Sequence, residues 1–240
     1  MSLDKVTEYL PEWISDQNKL AHTKGLVFGM SGGIDSSVIA ALCKKSIVES
    51  LGLIMPCFSN PQDEIDALLV SHILGVKTTK IDFEATFRQI VANMYPLPLD
   101  KLALGNIKAR LRMTILYSFA NSLNYLVVGS DDYSENYVGY FTKYGDGACD
   151  IAPLANLTKT EVRELGRLLG VPYKIIIKPS SPGLWSEQTA EEEMGISYKD
   201  IDTYLRGNQL SLAGCITEKI AHKHFSTEHK RNMPIIPPIF

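Results

Sequence analysis

Gly25-Leu-Val-Phe-Gly-Met-Ser-Gly-Gly-Ile-Asp-Ser-Ser37 is the stretch that decides the fold. Gly25 to Phe28 is a short apolar run bounded by Gly29, which reads as a buried strand. Ser36 to Ile47 reads as a helix with Val38, Ile39, Leu42 and Ile47 inward. Between them lies a turn made of glycines and hydroxyl residues. A buried strand that runs through such a turn into a helix is the opening unit of an α/β sheet.

The pattern repeats outward from that unit. Gly52 to Met55 is a second apolar strand, stopped by Pro56; Val76 to Ile81 is strand-like; Tyr125 to Val128 is another buried strand, ended by Gly129. Helical spacing marks Leu3 to Leu20, Asp63 to Leu74 and Ile107 to Ala120. Thr158 to Leu169 opens on Thr158-Lys-Thr-Glu161, a capping-box pattern, and closes at Gly170 and Pro172. Continuous apolar strands separated by helices predict a parallel sheet covered on both faces, a Rossmann-like α/β architecture. The tail after about residue 195 reads as helical and ends in Pro234, Pro237 and Pro238, so residues 1–240 are expected to form a single domain. Ligands of such sheets bind beyond the carboxyl ends of the strands. That rule selects Gly29 to Ser37, Pro56 to Asp63 and Gly129 to Glu135.

Composition excludes several classes. Hydrophobic residues make up 45% and charged residues 21%, which rules out a disordered or collagenous chain. A net charge of −3 gives no general attraction to nucleic acid or to a membrane surface. No apolar run is long enough to span a bilayer. Met1 to Leu20 carries four acidic residues and no apolar signal core, so a cytoplasmic location is expected. Cys43, Cys57, Cys149 and Cys215 stand far apart with no Cys-x-x-Cys pair, which predicts reduced thiols rather than disulfides or zinc.

The loop Gly29 to Ser37 is built to hold an anion. Gly32 and Gly33 allow close backbone approach, Ser31, Ser36 and Ser37 add hydroxyls, and the following helix offers free N–H groups. It is not a Walker A loop, because Ile34 stands where the second glycine should be and no lysine follows. Nor does Gly-x-x-Gly-Gly have the dinucleotide spacing. Asp35 inside a phosphate cradle would repel phosphate unless a cation lies between them, and magnesium bridging both resolves the conflict. The alternative is a Gly/Ser turn with Asp35 as a helix cap.

This loop resembles the pyrophosphatase loop of the N-type ATP pyrophosphatases, which split ATP between its α and β phosphates and adenylate a carboxylate or carbonyl oxygen. Four later segments resemble the NAD synthetase branch. They are Gly105-Asn-Ile-Lys-Ala-Arg-Leu-Arg-Met113, Gly139-Tyr-Phe-Thr-Lys-Tyr-Gly-Asp-Gly147, Lys178-Pro-Ser-Ser-Pro-Gly-Leu-Trp185 with Gln188-Thr189 and Glu193 to Tyr198, and Thr227-Glu-His-Lys-Arg231. The resemblance runs from about Gly25 to Pro234 with the motifs in the same order.

Carried over by motif, the resemblance implies ATP on Gly29, Met30, Ser31, Gly32, Gly33, Ile34, Asp35 and Ser36, with Ser130, Lys159 and Ser181 completing the site. It implies magnesium on Asp35 and Glu135, and a deamido-NAD site on Arg110, Lys143, Asp150, His229 and Lys230. Asp35 and Lys159 are the expected catalytic groups. Each also has a plainer reading: Arg110 with Lys108 as a solvated helix face, Lys143 as a surface lysine, Asp150 as a turn cap, His229 and Lys230 as a frayed tail. Lys159 falls in the first turn of a helix, where a cation opposes the dipole, so a nearby ligand phosphate is expected. Two departures stand out. Ala190 occupies a position where the family commonly has Asp, and Asp131-Asp132-Tyr133 differs from the usual string after the fourth strand.

The implied chemistry is ATP-dependent amidation of deamido-NAD. A nicotinate carboxylate has a very poor leaving group; transfer of AMP converts it to a mixed anhydride that ammonia can attack. No enzyme nucleophile is required, and Cys57 is not nominated. A glutaminase would need a domain of about 100–200 further residues, so free ammonia is the expected nitrogen source. The family is usually homodimeric, and the helix Ile107 to Ala120, apolar on more than one face, is compatible with that or with ordinary core packing. Another adenylating ligase of the same loop family and a non-catalytic nucleotide sensor are the alternatives; a tRNA enzyme should carry a basic face, which a pI near 6.0 does not offer.

Overall fold

A computed structural model describes residues 2–185 and 188–238. The element order is α1 (Leu3–Leu20), β1 (Gly25–Gly29), α2 (Ile34–Lys45), β2 (Ser50–Ile54), α3 (Pro61–Leu74), β3 (Lys77–Lys80), α4 (Glu84–Asn93), α5 (Lys101–Leu123), β4 (Tyr125–Val127), α6 (Tyr133–Val138), α7 (Lys159–Leu168), α8 (Tyr173–Ile176), α9 (Ala190–Met194), α10 (Tyr198–Leu205), α11 (Gly214–Ser226) and α12 (Glu228–Arg231). The four strands form one parallel sheet in the order β3-β2-β1-β4. The expected α/β fold with helices on both faces is present. No described helix is long and apolar enough to cross a membrane.

Side chains of β1, β2 and β4 alternate and sort into two cores, as a period of two requires. Leu26, Phe28, Ile54 and Val128 join the core formed with α1, α2, α7 and α8. Val27, Leu53 and Val127 point the other way, into the core formed with α4 and α5. Both faces of β1 are buried, which is why its sequence is a continuous apolar run. A third, smaller cluster joins Val138, Met194, Ile196, Tyr198, Ile201 and Ile220, and holds α6 and α9–α11 together. Ala190 is part of that cluster and is buried, so the residue type at this departure serves packing.

Strand order reverses at β1, which has β2 on one side and β4 on the other. Open α/β sheets bind ligands at such a switch point, beyond the carboxyl ends of the two strands. Here those ends release Met30-Ser31-Gly32-Gly33 and Gly129-Ser130-Asp131-Asp132 side by side.

Candidate active site

The loop after β1 is closed by its own hydroxyls. Ser36 Oγ donates to Gly33 O at 3.1 Å and accepts from Ser31 N at 3.2 Å. Ser37 Oγ donates to Gly33 O at 2.7 Å, and Gly33 N donates to Ser31 Oγ at 3.2 Å. Gly33 is the N-cap of α2 and supplies no side-chain acceptor, so the first N–H groups of that helix remain available to an anion. Gly32 has φ +77°, and a Cβ there would lie 2.3 Å from Asp63 O; only glycine fits. Met30 and Ile34 are buried and anchor the loop to the core.

Asp35, one residue into α2, faces the end of β4. There Asp132 caps α6: its Oδ1 accepts from Glu135 N at 2.8 Å, while Glu135 Oε2 accepts from Asp132 N at 3.4 Å. This reciprocal box fixes both carboxylates. Lys159, at the start of α7, reaches between them. Its Nζ lies 2.7 Å from Asp35 Oδ1, 2.9 Å from Glu135 Oε1 and 3.1 Å from Asp132 Oδ2. Tyr198 Oη donates to Glu135 Oε1 at 2.8 Å.

Three carboxylates therefore share one ammonium in a pocket largely closed to water. Burial pulls the Lys159 ammonium toward neutrality, but Asp132, Asp35 and Glu135 outweigh it and hold the group well above the ordinary lysine range. Burial pushes Asp35 and Asp132 up, against the pull of Lys159. Asp131, beside them, is pushed well up by burial and by Asp146, and Asp146 is itself raised by burial. Asp132 Oδ2 is buried, and the Lys159 ammonium at 3.1 Å is the charge it faces. One oxygen from each of Asp35, Asp132 and Glu135 lies within 4.8 Å of the others. A hard-oxygen donor set of three carboxylates against a single ammonium, with excess negative charge, fits a magnesium ion.

The protein itself also accommodates Lys159 in a first turn. Asp202, from α10, caps α7 by accepting from Thr160 N at 2.8 Å. It also accepts from Ser134 Oγ at 2.5 Å, and that hydroxyl accepts from Lys159 N at 3.1 Å. The dipole is met by Asp202 while the lysine side chain turns to the carboxylates. Ser130 is half-buried in the segment after β4. Ser181, in the segment after α8, accepts from Gly183 N at 3.1 Å.

Four of the five residues carried over for deamido-NAD meet on one wall. Arg110, on α5, donates to Lys143 O at 3.3 Å; Lys143 Nζ donates to His229 O and, at 3.1 Å, to Asn232 O. Lys230 donates to Gly139 O and Phe141 O at 2.8 Å each. His229 and Lys230 are thus tied to the Gly139–Gly147 loop and are not a frayed tail. Asp150 stands apart, accepting from Tyr117 Oη at 3.0 Å and from Val127 N at 2.8 Å. Beside Tyr117 an open groove of about 430 Å³ runs along α5, lined also by Met113, Thr114, Asn121 and Tyr144. Lys108 is not on a solvated face: it is buried and donates to Leu184 O at 2.6 Å.

Asp132, Asp146, Tyr198 and Asp202 lie in or around the candidate site, although none of them is given a role there by the sequence. The Asp132-x-x-Glu135 spacing is a capping-box signal that could have found the first. Asp146 and Tyr198 lie inside the Gly139–Gly147 and Glu193–Tyr198 strings, but nothing local to those strings or to Asp202 reports that they reach this pocket.

The chain is similar to known proteins over nearly its whole length. A family model described as NAD synthase matches residues 6–234. The NH(3)-dependent NAD(+) synthetase of Carboxydothermus hydrogenoformans is 46% identical over 238 residues, covering 98% of this chain and 97% of that one. The solved NMN synthetase of Francisella tularensis superposes with a TM-score of 0.96 at 39% identity, covering 100% of both chains. The NH3-dependent NAD synthetase of Campylobacter jejuni, solved with a nitrate ion, superposes with a TM-score of 0.84 at 29% identity, covering 99% of this chain and 100% of that one.

Proposed function

The chain belongs to the NAD synthase family, and from that premise we propose that the pocket at the β1–β4 switch point is where ATP activates the nicotinate carboxylate. The reaction is that of an ammonia-dependent ligase: deamido-NAD, ATP and ammonia give NAD, AMP and pyrophosphate. The observation that carries the site assignment is the Lys159–Asp35–Asp132–Glu135 cluster lying against the open N-terminus of α2.

In the first step a carboxylate oxygen attacks the α-phosphorus and the bond to the β-phosphate oxygen breaks, releasing pyrophosphate. In the second, ammonia attacks the acyl carbon, AMP leaves with the carboxylate oxygen, and the nitrogen loses a proton. The loop N–H groups and the ammonium of Lys159 stabilise charge that builds on the phosphates, and the Arg110–Lys143 wall orients the acid. Asp35 and Glu135, with Asp132, would hold magnesium, which supplies charge neutralisation to the leaving pyrophosphate. Ser130 and Ser181 complete the ATP site. Two copies meet along α5 beside the open groove, so that each dinucleotide lies near a subunit boundary. The protein works in the cytoplasm.

A second reading is favoured by one observation, the full-length likeness to a protein named NMN synthetase. On it the acid is nicotinate mononucleotide, which carries the same ring and carboxylate but no adenylate half. The test is one assay with ATP, magnesium and ammonium, run with each acid in parallel and read as amide, AMP and pyrophosphate. A kcat/KM higher for deamido-NAD supports the first reading, one higher for the mononucleotide the second. Release of ADP and phosphate in place of AMP and pyrophosphate would defeat both.

A further inference from the structure

Lys178, just before the irregular segment Pro179 to Ser181, contacts the loop after β1. Its Nζ donates to Gly32 O at 3.3 Å, to Asp63 Oδ1 at 2.8 Å and to Asp66 Oδ2 at 2.6 Å. Asp63 and Asp66 are in the first two turns of α3. Asp66 is fully buried and also accepts from Lys174 Nζ at 2.7 Å and Gln62 Nε2 at 2.9 Å. The same Gly32 packs so closely on Asp63 O and Ala67 N that it has no room for a Cβ.

The geometry has a directional consequence. In a trans peptide the C=O and the next N–H point in opposite directions within one plane. Holding Gly32 O toward Lys178 and α3 therefore aims Gly33 N–H the other way, toward the cradle. In this structure Ser31 Oγ accepts that N–H; with ATP bound, a phosphate oxygen is the competing acceptor.

We propose that Lys178 is a positioning residue for the reaction: it locks the Gly32–Gly33 peptide in the orientation that presents its N–H to the ATP phosphates, and couples that orientation to the segment leading to Ser181. The proposal rests on the reading of the loop as the ATP site. Lys178 itself is directed to Gly32 O and two carboxylates rather than to the substrate.

The test is calorimetric titration of the full chain with ATP and magnesium, alongside the KM for ammonium. Lys178→Met is expected to raise the ATP Kd about tenfold, the worth of one oriented charge-assisted hydrogen bond. The ammonium KM should stay close to wild type, the Tm should fall by a few degrees because Asp66 loses one of its two ammonium partners, and Lys178→Arg should recover most of both losses. If Lys178→Met is insoluble, Lys178→Gln, whose amide can still donate to Asp66, is judged by the same criterion. An unchanged ATP Kd overturns the proposal. So does a parallel shift of ATP Kd, ammonium KM and Tm that Lys178→Arg fails to reverse, because that is the signature of a merely structural ion cluster. Titration needs no turnover. A wild-type chain that binds ATP yet makes no amide sinks the functional reading alone; one that does not bind ATP sinks both.

Discussion

Lys159 Nζ lies 3.1 Å from Asp132 Oδ2, and neither side chain is open to solvent. A buried ammonium is retained only where opposite charge outweighs desolvation, and here three carboxylates do so. Removing the ammonium leaves those carboxylates buried without a cation. Lys159→Met is expected to destabilise the chain by about 3–5 kcal/mol in the absence of magnesium. Turnover should fall by on the order of 100-fold or more, the usual cost of a lost charge stabiliser. Thermal melts with and without magnesium check the first part: the ion should restore more stability to the variant than to wild type. Equal stabilisation of both would mean that the ion does not use this cluster.

Asp35 joins the phosphate loop to that cluster. It sits at the start of α2 and accepts from Lys159 at 2.7 Å. If it also holds the ion that neutralises pyrophosphate, Asp35→Ala should abolish AMP formation, with loss on the order of 1000-fold. Glu135→Gln should act in the same direction, more weakly, because one oxygen remains to accept from Asp132 N. Rates measured over a magnesium titration decide the point. Turnover retained in Asp35→Ala removes Asp35 from the metal role.

The wall proposed to meet the acid is separable from the proposed ATP loop. Arg110 reaches it from α5 and is braced by Lys143 O, which in turn is tied to the C-terminal segment. Arg110→Ala should raise the KM for the acid about 10- to 100-fold, the range of a charge-assisted hydrogen bond. The KM for ATP should not move. The reverse pattern, with ATP affinity altered and the acid KM unchanged, would place Arg110 at the nucleotide instead.

Legibility in the sequence follows from what is local. The strands announce themselves because both faces of β1 and the inner ends of β2 and β4 are buried, and burial on both faces demands an unbroken apolar run. The loop is legible because an anion site needs glycine and hydroxyls in one short string. α5 begins at Lys101, six residues before the expected Ile107, because Asp100 caps it through Ala103 N; the prolines just upstream mask that start. α4 leaves no such mark: Glu84–Asn93 buries only Phe87 and has no strong apolar stripe. Lys178 illustrates the other limit. Its partners lie 112 to 146 residues away, so nothing in its neighbourhood in the chain reports that it touches the phosphate loop.

Asp66 gives the pH dependence of that same corner. Burial raises its carboxyl, but hydrogen bonds from Lys174, Lys178 and Gln62 outweigh burial and hold it below the usual carboxylate range. A group whose folded pKa is depressed stabilises the fold above its unfolded pKa, and that contribution disappears as pH falls through the folded value. Asp66→Asn should therefore cost about 1.5–3 kcal/mol at neutral pH, the worth of hydrogen bonds to a charged partner. The difference from wild type should shrink once pH drops below about 4, where the unfolded carboxyl takes its proton. Urea unfolding of both proteins across that range is the measurement. A difference that stays constant down to the lowest pH would assign the loss to packing around Asp66 rather than to its charge.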